Sequence, residues 1–182
     1  WSDADWRQRS AGAQVPVNQQ TTLYTSDQTV SLPANAGRLS LRLIGGGGGG
    51  KTAAAGNQNG NPGSKTTATV LDGGAAWNSF KANAGAGGTS WGGAVGTAGE
   101  KSPMTPRGDG GDGGQGGDRE GQGGRAGELV KVLAIDLTDL AAPEVAIAIG
   151  AGGLGGDGST GVHAGTAGAV EITTWELAAA ED

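Results

Sequence analysis

The chain has 182 residues, a length that suits one domain, and its formal net charge of −6 is mild and mixed in sign. Its composition by itself is typical of disorder, because 40 residues are glycine and only 4% are aromatic. Mixed charge without a basic stripe excludes a nucleic-acid groove, and the absence of cysteine excludes disulfides and thiolate metal sites.

The first twenty residues are polar and irregular, and we expect residues 1–20 to form an attachment arm. Trp1 and Trp6 are the large apolar side chains of this arm. We expect the two indoles to dock on a partner protein or a neighbouring subunit, since aromatic side chains are common anchors of interfaces. No apolar run reaches the length of a membrane span, and no signal-peptide pattern opens the chain, so we expect no membrane insertion.

Alternating apolar residues predict short β-strands on both sides of a glycine-rich middle. The clearest case is residues 38–43, where Leu39, Leu41 and Leu43 face one way and polar residues face the other. The predicted strands are residues 21–25, 29–32, 38–43, 66–71, 129–140, 144–149 and 169–175. A random low-complexity linker would not be bracketed by such runs, so we predict an ordered domain over residues 21–177 and a tail at 178–182.

The glycine-rich middle, residues 45–168, holds 38 of the 40 glycines and opens with six in a row. Within it glycine recurs at every third position, as at Gly108, Gly111 and Gly114. Period three is the repeat of the polyproline-II type of helix, which makes no hydrogen bonds to itself and needs neighbours of its own kind. Glycine lets such helices approach until backbone groups bond across the gap. The sequence therefore predicts a mostly β fold in which short strands flank a lattice of polyglycine-II helices, with little or no α-helix.

Several side chains in this middle are candidates for receptor binding. The aromatic ones stand among glycines that offer no conventional core, so either they fill seams between helices and strands or they are displayed at a tip, where aromatic faces bind sugar rings or apolar patches. Residues 57–64 and 101–107 are predicted to be exposed loops, and arginine among glycines suits anionic groups such as lipopolysaccharide phosphates. The receptor-binding candidates are Trp77, Asn78, Phe80, Trp91, Arg107, Arg119, Asn59 and Asn61.

Two motifs suggest ligand chemistry, and each fails on its context. Residues 45–52 match the phosphate-loop pattern, but residues 53–60 would break the required helix within one turn. Residues 152–157 match the first six positions of a calcium-binding nonapeptide, but the eighth position is Ser159 and no second copy follows. We therefore expect neither nucleotide nor calcium binding at these places.

The remaining chemically active residues give no catalytic constellation. Asp109, Asp112, Asp118 and Glu120 resemble a cation site, but we expect these acids to project from the glycine helices into water. His163 is the single histidine and has no serine or cysteine nucleophile at motif spacing. We therefore expect a protein that is not an enzyme and has no cofactor and no metal.

Two patterns carry a resemblance to a known family. Residues 29–50, TVSLPANAGRLSLRLIGGGGGG, resemble the opening of the glycine-rich domains of bacteriophage tail-fibre and tail-tip proteins, which are adhesin-like. The closing pattern is similar too, in residues 145–153, in 165–172 and at Trp175. The resemblance implies a virion protein, extracellular, in some members a sandwich of polyglycine-II helices whose distal loops select the host receptor.

The resemblance also implies partners and leaves alternatives open. The expected partners are other tail or fibre proteins of the virion and a host outer-surface receptor, either a saccharide or an outer-membrane protein. Fibre proteins are commonly symmetric, so we expect a homotrimer, or one chain bound to a trimeric fibre. One alternative is a purely structural virion component, a tail-tip or decoration protein that contacts no host molecule. A second is a glycine-rich ice-binding protein, which should show a flat repeated face of threonine or alanine.

Overall fold

Two antiparallel four-stranded sheets pack face to face and form one half of the molecule. The structure is a computed structural model, and it describes residues 16–51, 59–89, 91–92, 99–104, 107–109, 120–121, 123–155 and 163–177. These residues contain strands and no helix, so the prediction of a mostly β fold is confirmed. Within them there is accordingly no helix long and apolar enough to cross a membrane.

Ten strands are described. They are β1 (Pro16–Tyr24), β2 (Gln28–Ser31), β3 (Ala36–Ile44), β4 (Thr66–Asp72), β5 (Ala75–Ala82), β6 (Trp91–Gly92), β7 (Glu120–Gly121), β8 (Leu129–Asp136), β9 (Pro143–Ala148) and β10 (Ala169–Leu177). The first sheet has the order β1-β10-β3-β8 and the second the order β2-β9-β4-β5, while β6 and β7 pair separately. We call the two four-stranded sheets together the sandwich.

Alternation along the strands builds one core between the two sheets. In β3, Leu39, Leu41 and Leu43 are fully buried, as the sequence predicts, and in β10 the buried residues include Val170 and Ile172. The second sheet contributes its own inward rows from β4 and β9 to the same cluster. Because side chains alternate with period two, each of these strands presents its other face outward.

Three details differ from the sequence prediction. Strand β1 begins at Pro16, inside the segment predicted to be an arm. Residues 75–82, not predicted as a strand, form β5 and pair with β4. In β8, Leu133 and Ala134 stand together opposite Ser40, so the inward residue beyond this bulge is Ile135. Ala134 adopts the left-handed conformation with φ 55°, and its N–H donates to Ser40 Oγ at 3.0 Å.

Six strands continue directly into glycine-rich segments that form the other half of the molecule. Strands β3, β5 and β9 lead into residues 45–50, 83–89 and 150–155, while residues 59–65, 123–128 and 163–168 lead into β4, β8 and β10. Together with residues 107–109 these segments make seven, which we call the glycine bundle. Since neighbouring strands of the sandwich alternate in direction, so do the segments that extend them.

Residues 45–50 run through the middle of the bundle, and their N–H groups donate in rotation to three neighbours. Gly45 and Gly48 donate to the carbonyls of Glu128 and Arg125 at 3.1 and 2.9 Å. Gly46 and Gly49 donate to the carbonyls of Ser64 and Asn61, in a second neighbouring segment. Gly47 and Gly50 donate to the carbonyls of Thr166 and His163, in a third. Every third residue thus faces the same neighbouring segment.

The other six segments close a ring around this central one. Backbone hydrogen bonds join successive members of the ring, for example Gly63 N to Gly85 O at 3.1 Å and Gly165 N to Gly153 O at 2.8 Å. A Cβ added at any of the positions 45–49 would lie within 3 Å of a backbone carbonyl oxygen of a ring segment. These five glycines have no positive φ, so close packing of backbones, rather than an unusual conformation, is what requires them.

Candidate functional site

The end of the glycine bundle that lies away from the sandwich, here called the bundle tip, brings together residues from distant parts of the chain. Gly50 lies at this end because residues 45–50 extend β3, and its N–H donates to His163 O at 2.7 Å. Asn59, Thr89 and Leu154 lie beside this end of the segment 45–50, each in its own glycine segment. Asn59 and Leu154 are exposed, Leu154 by 40%, so the tip presents side chains to solvent.

A buried lysine stabilises the tip. Lys51 is only 4% exposed, and its Nζ lies 3.3 Å from Asn59 Oδ1 and 3.5 Å from the carbonyl oxygen of Thr89. The ammonium group donates to one side-chain amide oxygen and one backbone carbonyl oxygen of two other segments. The contact fixes the start of the segment 59–65 against the end of the segment 45–50.

The expectation that Asp109 projects into water is wrong. Asp109 is 5% exposed, its Oδ1 accepts the N–H of Ser102 at 2.7 Å, and its Oδ2 lies 3.7 Å from Lys101 Nζ. Its own N–H donates to Thr166 Oγ1 at 2.7 Å. A carboxylate inside a bundle is kept there by such donors, so Asp109 anchors residues 99–104 to the bundle. Asp112 and Asp118 lie outside the described residues, and no group of acids or histidines within the described part could hold a metal ion.

The aromatic candidates are divided between the two halves of the molecule. Trp77 and Phe80 lie in β5 and not in a loop of the bundle, and Trp77 is the extra residue of a bulge, 50% exposed. Phe80 is half-buried and packs against the core of the sandwich. Asn78 is exposed in the same strand. Trp91 belongs to the two-residue strand β6, which follows the end of the segment 83–89 at the tip.

The polar candidates have different positions again. Asn59 and Asn61 are exposed near the tip, whereas Arg107 is half-buried beside Gly108, at the level where the bundle meets the sandwich. Arg119, Trp1 and Trp6 lie outside the described residues. The structure therefore brings Asn59 and Asn61 to the same end of the molecule as Trp91 and separates them from Trp77.

Known proteins give no direct guide to this site. The chain matches no family model, no curated protein and no solved structure. The geometry of the site is therefore the basis for any function assigned to it.

That geometry contradicts a phosphate-loop interpretation of residues 45–50. A phosphate cradle needs free backbone N–H groups, but all six N–H groups of residues 45–50 already donate to backbone carbonyls, and the segment is buried. What the bundle offers instead is a support that brings exposed residues of several segments together at the tip, among them Asn59, Thr89 and Leu154.

Lys51, Thr89 and Leu154 are tip residues that the sequence did not predict. In the sequence, Lys51 stands out only as part of a phosphate-loop pattern. The signal that could have found all three is the number of residues that separates each from the strand at which its glycine-rich run begins. The number of residues between a strand end and a given residue indicates how far along the bundle that residue lies.

Proposed function

We propose that the seven segments of the glycine bundle are polyglycine-II helices. The observation that supports this assignment is the rotation of hydrogen bonds from residues 45–50 among three neighbours with period three. A β-strand would direct its backbone groups to two sides, and an α-helix would bond to itself, whereas a helix with three residues per turn directs them to three. A chain surrounded by six others is the arrangement expected of such helices.

We propose that the protein is a bacteriophage tail-fibre or tail-tip component that displays the bundle tip to a host receptor. The bundle supports this function because backbone hydrogen bonds between its segments hold exposed residues from distant parts of the chain together at the tip. Groups held rigidly lose little entropy on binding, which favours affinity. The family resemblance of residues 29–50 and of the closing pattern points the same way.

We place attachment to the virion at the end of the sandwich that lies away from the bundle. Strand β1 runs antiparallel to β10, which leads away from the bundle, so Pro16 lies at the sandwich end far from the tip. The arm that precedes Pro16 therefore starts where a fibre would be joined. A homotrimer, or one chain on a trimeric fibre, is compatible with this polarity.

A matched pair of tryptophan substitutions tests the receptor role. In virions that carry this chain, Trp91→Ala combined with Asn61→Ala alters the tip, and Trp77→Ala alters β5 as a control of the same residue type. We expect the adsorption rate constant to fall at least about tenfold for the tip variant and to stay within about twofold for the control, since removing an aromatic anchor typically costs more than about 1.4 kcal/mol. Normal adsorption by correctly assembled tip variants would remove the receptor role.

The structural alternative predicts a different outcome from the same particles. A tail-tip or decoration protein without host contact would tolerate the tip variant in adsorption. Substitutions at the end of the sandwich far from the tip would instead reduce the amount of such a protein in assembled virions. Quantifying the chain in purified particles by mass spectrometry separates the two functions.

The ice-binding alternative has one structural feature in its favour. The outer face of the second sheet aligns Thr29, Ala146, Thr69 and Ser79 in one row across its four strands. This row is flanked on the same face by Glu144 and Lys81, which interrupt a flat repeat. Thermal-hysteresis activity of the purified protein would favour this alternative over the virion function.

A further inference from the structure

The four outer strands of the sandwich differ in how well their free edges are protected. Strand β2 has only four residues, and β5 and β8 each carry a bulge and a lysine, Lys81 and Lys131. Short length, bulges and lysines are the common devices that prevent an edge from pairing with another strand. Strand β1, PVNQQTTLY, has nine residues and no charge, and its only register irregularity lies at its start. Among the described strands of the sandwich, β1 alone presents a long unprotected edge.

A groove lies beside this edge, between β1 and β2. Because β1 is nine residues long and β2 only four, the second sheet does not cover the first one along the whole of β1. The groove has a volume of about 390 Å³, and Ile172 and Thr174, which are 3% and 5% exposed, are among its lining residues. The other lining residues are Gln20, Thr22, Tyr24, Val30, Ser31, Leu32 and Pro33. None of these nine side chains is charged, so the groove suits an uncharged occupant.

The sequence that precedes β1 has the pattern of a strand with one uncharged face. Residues 1–15 lie outside the described residues, but their order is informative. Charged residues occupy odd positions only, at Asp3, Asp5, Arg7 and Arg9. Uncharged residues occupy the even positions, at Ser2, Ala4, Trp6, Gln8 and Ser10. Period two is the strand repeat, and Gly12 supplies a residue suited to a turn before β1.

We propose that residues 1–10 turn back through residues 11–15 and add to the free edge of β1 as an antiparallel strand, with Trp6 in the groove. A five-residue connection places Ser10 opposite Pro16 and Trp6 opposite Gln20, which lines the groove. The same register puts the charged odd row on the outer, solvated face. A register shifted by one residue would put Asp and Arg side chains into the uncharged groove, which is unfavourable.

The size of the groove fits this occupant. A protein cavity of about 150 Å³ holds a benzene molecule, so 390 Å³ accommodates an indole ring and part of a neighbouring side chain. Trp1 belongs to the odd row and stays on the outer face. The strand pairing itself does not depend on the virion function.

Hydrogen–deuterium exchange on the full chain tests the pairing at β1. In the unchanged chain, we expect the alternate amides of β1 that are not bonded to β10 to exchange at least about tenfold more slowly than unprotected amides. Trp6→Ala should raise their exchange rates about tenfold. Trp1→Ala is the matched control, from the same segment but the opposite row, and should change the rates less than about twofold.

Three results would overturn the proposal. Unprotected rates at these amides in the unchanged chain would show that no strand covers the edge. Equal effects of Trp6→Ala and Trp1→Ala would show that the alternation does not set the contact. Protection that increases with protein concentration, together with a dimer in light scattering, would assign the edge to a second copy of the chain.

Discussion

Six stretches of chain run without interruption from the sandwich into the glycine bundle, yet the two halves are stabilised in opposite ways. In the sandwich, Leu41 and its neighbours bury apolar side chains between two sheets, and each contributes through the area it removes from water. In the bundle, residues 45–50 have no side chains, and backbone hydrogen bonds join each segment to its neighbours. The comparison shows that large apolar side chains stabilise the sandwich, whereas a few residues further along the same stretch of chain there is no room for even a Cβ atom.

The two halves should therefore respond in opposite ways to a change in side-chain size. Loss of carbon atoms should damage the sandwich, and gain of a single carbon atom should damage the bundle. The variants below test this expectation, beginning with the largest expected change in the free energy of unfolding.

Leu41→Ala should destabilise the protein most, by about 3–4 kcal/mol, because Leu41 is fully buried and its truncation leaves a cavity. The measurement is the free energy of unfolding from urea denaturation. Leu133→Ala, at a residue that is 75% exposed, is the control and should change it by less than about 0.5 kcal/mol. Equal effects of the two variants would contradict a core that is centred on β3.

Gly47→Ala should destabilise the protein by about 2–3 kcal/mol, because its new Cβ would collide with the backbone carbonyl of Asp109, which cannot move as a side chain can. Gly74→Ala is the control for the loss of a glycine elsewhere. Gly74 has φ 84° and open space where a Cβ would lie, so we expect a cost of about 1 kcal/mol from conformation alone. A smaller effect at Gly47 than at Gly74 would show that the bundle is not closely packed.

Thr66→Val tests the junction between the two halves. Thr66 is fully buried at the start of β4, and its Oγ1 accepts the N–H of Gly150 at 3.0 Å. Valine has nearly the same shape but leaves this N–H without its partner, so we expect a loss of about 1–2 kcal/mol. Thermal unfolding and amide exchange at Gly150 would measure it. Unchanged exchange at Gly150 would show that the hydrogen bond contributes nothing at the junction.

Asp136 should give the smallest effect, visible only as a pH dependence. Hydrogen bonds from the backbone N–H of Thr138, and next from its hydroxyl, lower the pKa of Asp136 in the folded protein. A lowered folded pKa stabilises the fold above the unfolded value of about 3.9, and this contribution disappears as the pH falls through the folded pKa. The difference in unfolding free energy between the wild type and Asp136→Asn should therefore shrink between about pH 6 and about pH 3. A difference that stays constant over this range would contradict the assignment.

The sequence was sufficient for those elements whose pattern is local. The alternation of Leu39, Leu41 and Leu43 predicts β3 and its buried face, because one face of a strand needs only period two. Strand β5 was not predicted, since Trp77 and Asn78 are exposed and the strand lies at an edge, where the inward face is barely apolar. The bulge at Ala134 could not be predicted either, because it depends on the partner strand and on the hydroxyl of Ser40.

The candidate site was predictable to a similar extent. The glycine period indicated an extended packing of backbones, but it could not show which residues meet at one end, since that follows from where each run leaves the sandwich. For this reason Asn59 and Trp91 lie at the same end of the bundle, although 32 positions separate them in the sequence. Asp109 was misplaced because a carboxylate among glycines looks solvated until its donors and neighbours, Ser102 and Thr166, are known.

The position of β10 has a consequence for how the protein is made. This last strand lies in the interior of the first sheet, between β1 and β3, and residues 163–168 just before it complete the ring around residues 45–50. During translation, neither half can close until the ribosome has delivered these residues. The second sheet and most neighbours of residues 45–50 come earlier in the chain, so the same late stretch completes both halves.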